Sequence, residues 1–164
     1  MSKYLFYLAA ILFLFSCKSP LQDKDNLSIV GLWSLEAMDI QDSVGGWHQW
    51  NSGMQGFLLY DSDGHGALHL LTQGYEDFDI PFDHFVDSVP LAALQHLNNS
   101  YVYIAKYRID EEAGIVKHER ISHSNPGEWG EVVERKFWFS GDTLFLQPVE
   151  DENASLRLKW LRED

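Results

Sequence analysis

Three residue types in the second half of the chain could fix the polar end of a small molecule. Val116, His118 and Arg120 share one parity, opposite Lys117 and Glu119. Val133, Arg135, Phe137 and Phe139 share another, opposite Glu134 and Lys136. In a β-strand, alternate residues face the same way. Arg135 then points with the phenylalanines, and His118 and Arg120 point with a valine. A cation among apolar neighbours needs a partner, because an unpaired buried charge is expensive. Tyr101, Tyr103, Ala105 and Tyr107 run at the same two-residue spacing. These residues predict a polar cluster of His118, Arg135 and one or more of Tyr101, Tyr103 and Tyr107 inside an apolar cup. Such a cluster can hold the carboxylate, carbonyl or hydroxyl of a hydrophobic ligand. The structural alternative has Arg135 stacked on an aromatic ring and bonded to backbone carbonyls at a closed end. Trp129, within Pro126-Gly127-Glu128-Trp129-Gly130, is a candidate to line the mouth of the cup, or equally to pack over its end.

Other chemistries find little support. No Gly-x-Ser-x-Gly, phosphate loop or dinucleotide fingerprint is present. An enzyme here would be an isomerase- or cyclase-type acid–base catalyst, with His118 as base and a tyrosine or Arg135 as electrophile. His65 and His69 lie four residues apart, roughly 13 Å along a strand, too far for one zinc. His118 and His123 are expected on opposite sides of a regular strand. Asp61-Ser62-Asp63-Gly64 begins like a calcium loop, but its twelfth position is Thr72 rather than glutamate. The acidic aromatic stretch carrying Glu76, Asp77, Asp79, Asp83 and Asp87 reads as a solvated lid more readily than as a weak calcium site. We expect no cofactor, no metal site and no catalytic residues.

The elements that must position the cluster are strands. Eight are expected: one built on Ile29, Gly31, Trp33, Leu35 and Ala37, then 56–60, 67–72, 101–109, 115–122, 131–139, 143–148 and 156–161. Six Trp, seven Tyr and ten Phe suit strands. Tight turns at Asp61-Ser62-Asp63-Gly64, Glu111-Glu112-Ala113-Gly114 and Ser140-Gly141-Asp142 make the order antiparallel. One short helix is expected between strands three and four, with Ser88 as its cap, Pro90 in its first turn and Asn98-Asn99 at its end. Closure into a barrel would remove exposed edges, and eight strands leave room for side chains or one small ligand. An open sandwich is the alternative.

The N-terminus addresses the protein. Lys3 precedes an apolar run from Tyr4 to Phe15, closed by Ser16 and Cys17. This is a secretory signal, and twelve helical residues reach only about 18 Å, too short to span a bilayer. Leu14-Phe15-Ser16-Cys17 resembles the bacterial lipobox, which implies cleavage before Cys17 and lipidation of that residue. We therefore expect a lipoprotein signal peptide over 1–16, a lipidated tether over 17–27 and one barrel domain over 28–164. No other cysteine exists, so the domain must rest on its core. Removing residues 1–16 takes one of 12 basic residues and none of the 25 acidic ones, moving the formal charge from −13 to −14. That field argues against nucleic acid. The expected location is the bacterial cell envelope, lipid-anchored at the outer membrane, and the membrane is a partner through Cys17.

The ordered pattern resembles a family. Gly31-Leu32-Trp33 is similar to the Gly-x-Trp of lipocalins. Gly56-Phe57-Leu58-Leu59-Tyr60 with Asp63-Gly64-His65, then Tyr101-x-Tyr103, Tyr107, Val116-Lys117-His118, Trp129-Gly130, Arg135 and Gly141-Asp142-Thr143-Leu144, resembles the bacterial lipocalin-like domain family over residues 29–161. The resemblance implies an all-β, eight-stranded antiparallel lipocalin-like barrel with a hydrophobic interior. It also implies that Trp33 plugs the base beneath an arginine, Arg162 or Arg135. The chain is thus expected to bind a small, mainly hydrophobic molecule through His118, Arg135, Tyr103, Tyr107 and Trp129. The alternatives are the acid–base enzyme above, or a ligand-free interaction module of the envelope with a filled barrel and an exposed apolar patch.

Overall fold

A two-residue repeat turns one face of each strand away from water, and the sheet closes on that face. The computed structural model describes residues 28–50, 53–77, 88–150 and 155–164. Cys17, the signal segment and the tether lie outside the described residues, as do Asp79, Asp83 and Asp87. Among the described residues nine strands are present: β1 (Gly31–Gln41), β2 (Trp47–Trp50), β3 (Met54–Tyr60), β4 (His65–Thr72), β5 (Tyr101–Asp110), β6 (Ile115–His123), β7 (Val132–Ser140), β8 (Thr143–Pro148) and β9 (Leu156–Arg162). Each is antiparallel to its neighbours, and β1 pairs with β9, so β1 and β3 to β9 form a closed eight-stranded barrel. Closure satisfies the ladder hydrogen bonds that an open sheet would leave at its edges.

The outer strand β2 was not foreseen. Its Trp-His-Gln-Trp shows no buried alternation, because it packs on the barrel rather than forming its wall. It pairs with Met38 to Gln41, while Gly31 to Ser34 on the same edge of β1 pair with β3. β2 therefore takes up the edge of β1 where β3 has moved away. Arg157 holds it through a guanidinium 4.4 Å from the Trp47 ring. The same Arg157 donates to Asp39 Oδ2 at 2.7 Å, and Lys159 approaches that oxygen at 3.1 Å. Burial pushes the Asp39 carboxyl up, but the bonds from Arg157 and Lys159 outweigh it and hold the group below its ordinary range.

The single α-helix among the described residues, α1 (Leu91–Asn98), takes a different place in the strand count than expected. It lies after β4, not between strands three and four, because β2 advances the count. Pro90 stands at its N-cap with no side-chain cap bond, so Ser88 does not cap it. Asn99 closes the far end, as the sequence suggested.

Two register shifts correct the expected faces. Between Leu35 and Ala37, β1 carries an extra residue against β9. The inward parity then passes from Leu35 to Met38, and Ala37 leaves it. Opposite the Ile104–Ala105 step of β5, β6 carries an extra residue at Ile121. A bulge of this kind moves the following residue to the other face. His123 thereby joins His118 inside the barrel instead of opposing it, stacked on Tyr103 with ring centroids 5.8 Å apart.

The two ends of the barrel differ. Tight hairpins at 61–64, 111–114 and 140–143 gather at one end with the entering segment and the end of β9. Trp33 is sealed there, its indole N–H donating to the Ile29 carbonyl at 2.8 Å, with Leu144 and Phe139 around it. Arg162 caps the ring from 4.2 Å and donates to the Val30 and Ser28 carbonyls. Trp33 is thus a plug, and its arginine is Arg162. Gly31 makes this possible: its φ is +146°, and a Cβ would sit 2.5 Å from Arg162 Nη1. The long connections, including α1 and the short 3₁₀ turn Pro126–Glu128, lie at the other end.

Candidate functional site

The open half of the barrel is hollow. A cavity of about 900 Å³ lies between the Trp33 layer and the long loops. Its apolar wall comes from inward-facing residues of β1, β3, β4, β7, β8 and β9: Met38, Leu58, Leu68, Leu70, Val133, Leu146, Leu158 and Trp160 among others. Trp50 of the outer strand reaches its rim. Its size falls in the range of small-molecule sites.

Polar side chains on this wall form two linked groups. In the deeper one, His118 is buried between two tyrosines. Its Nε2 lies 2.8 Å from the Tyr60 hydroxyl and its Nδ1 lies 3.1 Å from the Tyr103 hydroxyl. Burial, with the Arg135 and Arg120 charges nearby, lowers the His118 pKa from 6.5 to about 3. The imidazole is therefore neutral across the physiological range. Burial also raises both the Tyr60 and Tyr103 phenols, so both keep their protons.

The second group lies nearer the mouth. Arg120, though on a strand interior, donates to Glu128 Oε2 at 2.6 Å and to the Tyr101 hydroxyl at 2.6 Å. Tyr101 in turn donates to Glu128 at 2.8 Å, closing a ring of charge-assisted bonds. Burial pushes the Glu128 carboxyl up, but Tyr101, Asn125 and Arg120 hold it below its ordinary value. Arg135 donates to Glu150 Oε2 at 2.9 Å and to the Glu134 carbonyl at 2.8 Å. Burial acts on Glu150 in the same upward sense and is outweighed by a backbone hydrogen bond and by Arg135. Arg135 is thus neither stacked on an aromatic ring nor placed at the closed end.

Of the residues singled out from the sequence, the structure brings His118, Arg135 and Tyr103 together at the cavity wall. It does not bring Tyr107 or Trp129 there. Tyr107 donates to the Asp61 carbonyl at 2.6 Å, tying β5 to the closed-end hairpin. Trp129 is 59% exposed on the loop that follows the 3₁₀ turn. Three wall residues, Arg120, Glu128 and Trp160, went unnoticed as a set, and so did Tyr60 in the core behind His118. Arg120 was visible through its parity with His118. Tyr60 shares the parity of Leu58, which carried the same signal. Glu128 was hidden, because loop residues follow no period. The Asp61-Ser62-Asp63-Gly64 segment is a turn whose carboxylate Asp61 accepts from the Asp63 and His65 backbone amides.

With barrel, cavity and Trp33–Arg162 plug in view, the comparison with protein families is unambiguous. The family model for the lipocalin-like domain matches residues 30–162, and the chain belongs to that family. No curated protein matches the chain. No solved structure matches it either. The lipocalin-like barrel is an architecture suited to a small hydrophobic ligand.

Proposed function

We propose that this protein carries or captures a small, mainly hydrophobic molecule in the open half of its barrel. The observation that supports this best is the cavity itself, with its apolar wall and a few fixed polar groups. Binding is favoured over catalysis because both ring nitrogens of His118 are already engaged by tyrosines, leaving no free base. A filled barrel, the mark of a ligand-free interaction module, is not what the interior presents. The lipobox-like Leu14-Phe15-Ser16-Cys17 supports anchoring through Cys17 at the cell envelope, with the barrel held at the outer membrane.

N-phenylnaphthylamine, a neutral apolar fluorophore, tests the binding. Saturable one-to-one fluorescence enhancement is expected, lost when Leu146→Trp fills the cavity. Enhancement that survives in folded Leu146→Trp, or none in the native protein, would remove the cavity as a binding site. Mass spectrometry of molecules that co-purify with the mature domain would name the ligand. For the anchor, Cys17→Ser is expected to move the protein from the membrane fraction to the soluble one; retention in membranes would refute lipidation at that residue.

A further inference from the structure

Given the binding function proposed above, the hydrogen-bonding groups on the cavity wall define the polar end of the ligand. A neutral imidazole offers one N–H and one lone pair. His118 faces a tyrosine hydroxyl on each side, Tyr60 at Nε2 and Tyr103 at Nδ1. One tyrosine must donate to the ring and the other must accept from it. The accepting tyrosine keeps its own O–H proton, and no other described group takes that proton up. Tyr60 is sealed in the core, whereas Tyr103 lies on the cavity wall. A stranded donor in the core is costly, while one facing a cavity can be met by a ligand. This assigns the Nδ1–H tautomer, with Tyr60 donating to Nε2 and Tyr103 free to donate inward.

Two more donors on wall residues lack a partner among the described residues: Trp160 Nε1 and Arg120 Nε. In the buried part of the wall, donors outnumber the acceptors that reach them. Its charges are also spoken for. Arg120 and Arg135 are paired with Glu128 and Glu150, and Glu131 adds one more negative charge beside Arg120. A carboxylate would meet cations already neutralised and a wall with one more acid than base. An ammonium would bring further donors to the buried wall, and the carboxylate in excess, Glu131, is more than half exposed to water rather than set beside Tyr103.

We propose that the cavity takes an apolar molecule whose polar end is an uncharged oxygen acceptor, such as an ester or ketone carbonyl, received by the Tyr103 hydroxyl. His118 and Tyr60 are positioning residues that turn this hydroxyl inward.

Displacement of N-phenylnaphthylamine by methyl dodecanoate, dodecanoate, dodecylamine and dodecane tests the proposal. The methyl ester is expected to bind tightest. Tyr103→Phe should weaken the ester about tenfold, the loss of one hydrogen bond, and leave dodecane unchanged, which also shows that the variant is folded. Nitrogen NMR of the His118 ring should report the Nδ1–H tautomer. Tighter binding of dodecanoate or dodecylamine, unchanged ester affinity in Tyr103→Phe, or the Nε2–H tautomer would each overturn the assignment and leave the cavity a binding site. Failure of all four to displace a bound dye would overturn this assignment alone, whereas no dye binding at all would overturn the binding function and this assignment with it.

Discussion

The two ends of the barrel use arginine in opposite ways. At the closed end, Arg162 lies on Trp33 and donates to the carbonyls of Ser28 and Val30. At the open end, Arg120 and Arg135 face a cavity and are held by Glu128 and Glu150. Backbone carbonyls cannot titrate or swing away, so the closed-end arginine is fixed for as long as the barrel is folded. Carboxylates can do both. The closed end is therefore built as a packed seal. The open end keeps its charges paired but its volume empty, which preserves space for an apolar guest without leaving a bare cation against it.

The most severe way to test this contrast is to empty the seal. Trp33→Ala removes a fully buried indole and should cost about 3–5 kcal/mol of stability, read from urea unfolding. The remaining folded protein should keep its dye affinity. A loss below about 1 kcal/mol would mean that Trp33 is not the plug.

A smaller effect separates the arginines directly. Arg162→Met should cost about 2 kcal/mol, through a lost ring contact and two abandoned carbonyls, with dye affinity unchanged. Arg135→Met should cost less than about 1 kcal/mol, because Glu150 is partly open to water and can rehydrate. The same change should raise the His118 pKa, since one of the cations depressing it is gone, and should alter dye affinity. Unchanged affinity in the folded variant would remove Arg135 from the site. Equal stability losses for the two variants would erase the distinction between the ends.

The mildest effect is on pH dependence. His118 has a native pKa lowered from 6.5 to about 3. Below pH 6.5 the unfolded chain takes up a proton that the native protein refuses, so stability falls as pH drops towards 3. The depressed Glu128 and Glu150 contribute in the same direction, but only below their ordinary value of 4.5. Urea midpoints measured between pH 6.5 and 4.5 should therefore decline in the native protein and flatten in His118→Gln. Parallel profiles would show that His118 is not buried neutral.

Much of the inner wall was readable in advance. His118, Arg120, Arg135 and Tyr103 lie inside for the reason the two-residue repeat gave, since alternation is a property of each strand alone. That Trp33 plugs the base beneath an arginine followed from the resemblance carried by Gly31-Leu32-Trp33, but the choice of Arg162 over Arg135 came only with the structure. What escaped depends on partners distant in sequence. The bulge that brings His123 inward is a register shift between β5 and β6, visible only where the two strands pair. The outer strand β2 carries no buried alternation of its own. The partners of Arg120 and Arg135 sit on loops, where no period applies. Tyr107 had the correct parity yet lies below the cavity, because parity gives the face of a residue and not its depth.

Away from the two register shifts, the chain by itself determined which side chains turn inward and where it reverses, because both follow from neighbouring residues and backbone geometry. Only tertiary structure decided that one half of the barrel is sealed and the other hollow, and that its buried cations are already paired. Those outcomes depend on how eight strands tilt, shift and close on one another, and on which loops then come within reach.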